Sequence, residues 1–103
     1  MGDFAEQIKE LHARTQNTRL QFLMAELAAC LIAVDFGNTE LGLGNREIAE
    51  REIVHAEKGY EVVRSLLSDL DQEELREAFQ TRLLELRREI DLLKGKLGSG
   101  SPA

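Results

Sequence analysis

Pro102, next to the last residue, is the only proline in the chain. Proline removes a backbone donor and clashes with the preceding helical turn, so nothing before the tail forces a helix to break. Tryptophan is absent, and aromatic residues make up only 5% of the chain. Strand formers such as Val, Thr and Tyr are scarce and never alternate over a run, which argues against a sheet. With Cys30 as the single cysteine, no intrachain disulfide can form. Sitting within an apolar run, it reads as a small buried hydrophobe.

Positive charge is also in short supply. Thirteen Lys and Arg face nineteen Asp and Glu, for a net charge of −6. Neutralising phosphates needs a basic face, so the balance disfavours a nucleic-acid partner. The nearest approach to such a face is Arg82, Arg87, Arg88, Lys94 and Lys96, interleaved with Glu85, Glu89 and Asp91. Mixed signs at helical spacing read as a solvated, salt-bridged surface. The acidic opening Met1–Glu6 has no apolar core directly behind it, unlike a signal peptide. The apolar stretch Leu20–Phe36 is broken by Gln21, Glu26 and Asp35 and falls short of the roughly 20 uncharged residues of a membrane span. The expectation is a reducing, cytoplasmic setting.

What remains is helix-forming: Leu, Glu, Ala and Arg lead the composition. The reading is all-α: one domain, residues 1–97, folded as an antiparallel three-helix bundle with a long first helix, and dimerised. Helices are expected over about 4–36, 46–69 and 72–97. In the first, Ile8, Leu11, Thr15, Thr18, Phe22, Ala25, Ala29, Ile32 and Phe36 alternate steps of three and four, the seam of a bundle helix. Gly37-Asn38 is expected to end it. The Gly-rich segment 37–45 then reads as a plain loop, because no Lys or Ser/Thr follows in phosphate-binding spacing. Asn45 is the expected cap of the second helix, whose seam is Ala49, Ile53, Ala56, Tyr60, Val63, Leu67 and Leu70. Asp71 and Glu74 suggest a capping box for the third, which carries Leu75, Phe79, Leu83, Leu86, Ile90, Leu93 and Leu97. Residues 98–103 read as a flexible, linker-like appendage.

The second half of the first helix is apolar on every side, and such a helix needs cover on every side. Few other helices are available in this chain to provide it. That points to an interaction module pairing as a homodimer across a two-fold axis, with Phe22, Leu23, Leu27, Leu31 and Val34 at the interface. Docking into a larger protein assembly is a further possibility for the same helix. No catalytic chemistry and no cofactor is expected: Ser65 and Ser68 lack an activating histidine at helical spacing, and His12 reads as an exposed side chain.

One constellation points elsewhere. Glu52-Ile53-Val54-His55 places a carboxylate and an imidazole one turn apart on a helix. Glu26 is a lone acid inside the most apolar helix, and Gly59 nearby would admit another backbone closely. In that pattern alone the chain resembles the ferritin-like di-iron proteins, especially their short dimer-forming versions. The resemblance implies Glu26, Glu52 and His55 as ligands for iron or manganese, completed across a dimer. A structural role for Glu26, such as pairing with Arg64, is the competing expectation.

Overall fold

The computed structural model describes residues 3–99. Three helices follow one another: α1 (Asp3–Gly42), α2 (Arg46–Leu66) and α3 (Glu73–Ser99), with a single 3-10 turn at Leu67–Asp69. No strand occurs among the described residues. They form a three-helix bundle in which α2 runs antiparallel to both neighbours. At one end the Arg46 guanidinium donates to the Leu97 carbonyl at 2.6 Å, and Lys96 Nζ donates to Asn38 Oδ1 at 3.0 Å. At the other, the Gln16 side chain donates to the Asp69 carbonyl at 3.0 Å and accepts from the Asp71 amide at 2.9 Å.

The α2 and α3 seams are those the spacing predicts. Ala49, Ile53, Ala56, Val63, Leu67, Leu70, Phe79, Leu83, Leu86, Ile90, Leu93 and Leu97 are all buried. Tyr60 is half-buried, with the Arg87 guanidinium 5.5 Å from its ring centroid, a cation–π distance. Glu57 ties α2 to α3 by accepting from Lys94 at 3.1 Å and Arg87 at 3.4 Å. Arg87 also pairs with Asp91 at 2.8 Å. The mixed-charge stretch of α3 is therefore a salt-bridged surface.

α1 departs from expectation in two ways. First, it does not stop at Phe36 but continues six residues, to Gly42. Gly37 lies inside the helix and is buried, where a Cβ would come within 2.9 Å of Leu93 Cδ2. Its role is close approach, not termination. Asn38 stays helical by donating back to the Val34 carbonyl at 3.1 Å. The stop comes at Gly44, whose φ of +86° is left-handed. Its amide donates to the Leu41 carbonyl at 3.0 Å and the Asn45 amide to the Glu40 carbonyl at 2.8 Å, the paired bonds of a Schellman ending. Only 43–45 remain as the connection. Asn45 precedes α2 without capping it; its side-chain Nδ2 donates instead to Glu40 Oε2 at 2.5 Å. α3 begins at Glu73, and Asp71 turns its carboxylate to His12. Of the expected 98–103 appendage, Gly98 and Ser99 instead continue α3, and 100–103 lie outside the described residues.

Second, the inward face of α1 is not the seam expected. The buried residues are Leu23, Leu27, Cys30, Ala33, Val34 and Gly37, flanked by half-buried Leu20 and Leu41. Cys30 and Gly37 sit where α1 meets Gly59 and Leu93. Small side chains let the helices approach until larger ones beside them interlock, which favours this face over one bearing Phe22 and Phe36. From Asp3 to Thr15 every residue is exposed, and the protein measures 74 × 20 × 15 Å. The start of α1 is thus an arm running past the bundle.

Candidate functional site

Glu26, Glu52 and His55 do line one feature, a shallow groove of about 410 Å³ between α1 and α2. Its floor is Cys30 against Gly59, where a Cβ on the glycine would fall 2.2 Å from the sulfur. Gly59 does admit a close neighbour, but it is the Cys30 side chain and not another backbone as expected. The three candidate ligands, however, occupy different levels. Glu26 Oε2 lies beside Gly59, whereas Glu52 packs beside Gly37. Glu52 and Gly59 are separated by two helical turns, roughly 10 Å along α2. His55 Nδ1 is 3.7 Å from Glu52 Oε2, with the imidazole largely exposed and the carboxylate largely covered. Among the described residues no three His, Cys, Asp or Glu side chains converge closely enough to share a metal ion. One chain alone therefore does not assemble the donor set that the ferritin-like pattern implies. Arg64 pairs with Glu61 at 3.2 Å, and no Glu26–Arg64 ion pair occurs among the described residues. Burial chiefly, and the Glu26 carboxylate secondarily, push the Cys30 thiol above its ordinary pKa, which makes it a poor nucleophile.

The five residues expected at an interface divide. Leu23, Leu27 and Val34 are buried inside the bundle at 1%, 8% and 3% exposure. They hold α1 to its own chain and cannot meet a partner in the folded protein. Phe22 and Leu31 remain exposed. His12 is exposed as anticipated, though it contacts the Asp71 carboxylate.

The surface that does stand open is the stripe read from sequence as the internal seam. Phe4, Ile8, Leu11, Thr15, Thr18, Phe22, Ala25, Ala29, Ile32, Phe36, Thr39 and Leu43 recur at alternating steps of four and three, and every one is exposed. Phe4, Leu11, Ile32 and Leu43 are each more than 60% accessible. The buried stripe repeats with the same period about 150° around the helix, as 100° per residue requires. α1 is consequently two-faced: one heptad face holds α2 and α3, and the other has no partner among the described residues. By length and composition α1 is also apolar enough to cross a membrane, contrary to the sequence expectation, with an 18-residue window of mean hydropathy 1.7, a third of it buried in the bundle.

Comparison with protein-family models, curated proteins and solved structures gave no match. What the sequence reading missed is which of two periodic stripes faces inward. The available signal was the small-residue pair Cys30 and Gly37 on one stripe, matched by Gly59 on the next helix.

Proposed function

We propose that this chain is a small self-associating module, a homodimer joined through the outer stripe of α1. The observation that carries this reading is an exposed heptad stripe, apolar apart from Thr15, Thr18 and Thr39, running the whole 40-residue helix. A sustained 3.5-residue apolar period is the pattern of helices that pair. Helix-forming segments shorter than about 12–15 residues are marginal in water. The arm from Asp3 to Thr15, exposed throughout, therefore gains stability from a second helix laid along Phe4, Ile8 and Leu11. An apolar stripe of this length also exceeds the scattered surface hydrophobes normal in a monomer.

Light scattering on a sizing column, across a dilution series, tests the proposal. Wild type is expected at twice the chain mass. Ile32→Glu, at a position 68% exposed, is expected to give a folded monomer, because a charge in an apolar interface is costly whereas one on an open surface is not. Leu27→Glu serves as the contrast: at 8% exposure it should unfold or precipitate the chain. A wild-type monomer, or a soluble Ile32→Glu dimer of unchanged stability, overturns the reading. The iron or manganese alternative requires a second copy to supply ligands that one chain does not bring together. Metal analysis of the purified dimer, with Glu52→Gln as control, decides it.

A further inference from the structure

Resting on that self-association, we infer that the two copies of α1 pair antiparallel, in full-length register, centred between Phe22 and Ala25. Reversing one copy sets each position of the outer stripe against a different residue of the other. In full overlap Phe22 meets Ala25, Leu11 meets Phe36 and Phe4 meets Leu43. Large side chains then face small ones at the centre, and the exposed arm of each copy covers the C-terminal half of the other's α1. The parallel alternative stacks Phe22 on Phe22 and then Ala25 on Ala25 and Ala29 on Ala29. That layers a crowded level against two empty ones and leaves both arms to each other.

The charges beside the stripe make the same choice. Arg14 and Asp35 lie on one flank, with Arg19, Glu26 and Glu40 on the other. Antiparallel pairing puts Arg14 of one copy beside Asp35 of its mate, and brings Arg19 toward Glu26. Parallel pairing sets Arg14 against Arg19 and Asp35 against Glu40, like charges at both levels. Flanking charges of this kind set partner orientation in paired helices. Arg14 and Asp35 are in no ion pair within the chain among the described residues, and the two-fold axis would satisfy both twice over.

Cysteine pairing tests the orientation. In a Cys30→Ala background, Thr18→Cys and Ala29→Cys are made as separate chains, both at exposed outer-stripe positions that face one another only in the antiparallel register. The samples are mixed, oxidised and weighed by mass spectrometry, with scattering on the reduced samples. The expected result is a mixed Thr18→Cys/Ala29→Cys disulfide and little self-linking by either chain. Self-linked dimers of each variant would establish parallel pairing and overturn the inference while leaving self-association intact. Dimers by scattering with no disulfide would overturn the register. Monomers would overturn both, and a monomer that floats with neutral lipid vesicles would assign the stripe to a membrane surface. A second measurement has opposite signs in the two geometries. Arg14→Glu should raise the dimer Kd several-fold in the antiparallel arrangement, with Asp35→Arg restoring it in the double variant. In the parallel arrangement Arg14→Glu relieves repulsion and lowers Kd.

Discussion

Replacing Gly59 with Ala probes the tightest point of the fold. Ala is the better helix former by about 0.8–1.0 kcal/mol in a helix interior, so on local grounds the substitution should stabilise α2. Geometry reverses the sign. The added Cβ would fall 2.2 Å from Cys30 Sγ, against a comfortable separation of about 3.5–4.0 Å. Cys30 is 2% exposed and its sulfur turns on a single rotatable bond, so either that side chain leaves its rotamer or α1 and α2 must part. Overpacking of this kind costs about 1–3 kcal/mol and occasionally more. Taking the upper end for a 2.2 Å approach and subtracting the propensity gain, Gly59→Ala should lose about 2 kcal/mol, or roughly 8–16 °C in melting temperature for a domain of this size.

The other atoms near that Cβ are Glu26 Oε2 at 3.8 Å and Cys30 Cβ at 3.9 Å, both ordinary contacts. The sulfur is therefore the obstacle, and Cys30→Ala removes it. In the double variant a methyl on α2 takes the place of a sulfur on α1, close to a volume-conserving exchange. It should recover most of the loss, leaving a coupling of about 2 kcal/mol between the two sites, within the range for residues in contact. The assay is thermal and urea unfolding of wild type, both single variants and the double at one fixed protein concentration, since association shifts apparent stability. Additive single effects, or a Gly59→Ala chain more stable than wild type, would refute the close approach of α1 to α2.

Gly37→Ala should behave differently although Gly37 is also buried. Its Cβ would meet Leu93 Cδ2 at 2.9 Å, the far end of a side chain that can turn aside. The propensity gain then largely offsets the repacking, and stability should stay within about 1 kcal/mol of wild type. A loss larger than that of Gly59→Ala in the same urea series would contradict this ranking. For Cys30, burial first and then Glu26 raise the thiol pKa, so the folded state holds its proton to higher pH than the unfolded chain does. The associated stability is complete below the unfolded value of about 8.5 and declines as pH rises toward the folded one. Wild type should lose stability at alkaline pH relative to Cys30→Ala, and a thiol reagent should label Cys30 only as the chain unfolds. Rapid stoichiometric labelling under native conditions would show that the sulfur is not enclosed.

Helix number, the α2 and α3 seams and a close neighbour at Gly59 were legible in sequence because each rests on one unambiguous period or residue. The end of α1 was not. Gly37-Asn38 and Gly44-Asn45 offer the same two-residue stop signal, and local chemistry does not distinguish a glycine needed for left-handed φ from one needed for closeness. Packing settled it: Gly37 is pressed toward Leu93, while Gly44 is the one glycine among the described residues with a positive φ. The orientation of α1 was hidden for a related reason. Two apolar heptads share the helix, and the one with phenylalanines looks more like a core. Size is a poor guide when helices must come close, because the inner stripe fits through Cys30 and Gly37 against Gly59 while Phe22 and Phe36 would hold neighbours apart. The same reasoning bears on the candidate metal ligands. Glu26 and Glu52 flank one groove from helices whose register is fixed by those small residues, and that register sets the carboxylates at different levels. On α1 the core closes without Phe4, Phe22 and Phe36, which stay exposed while Phe79 of α3 is buried; under the proposed self-association those three are the aromatics that meet a second copy.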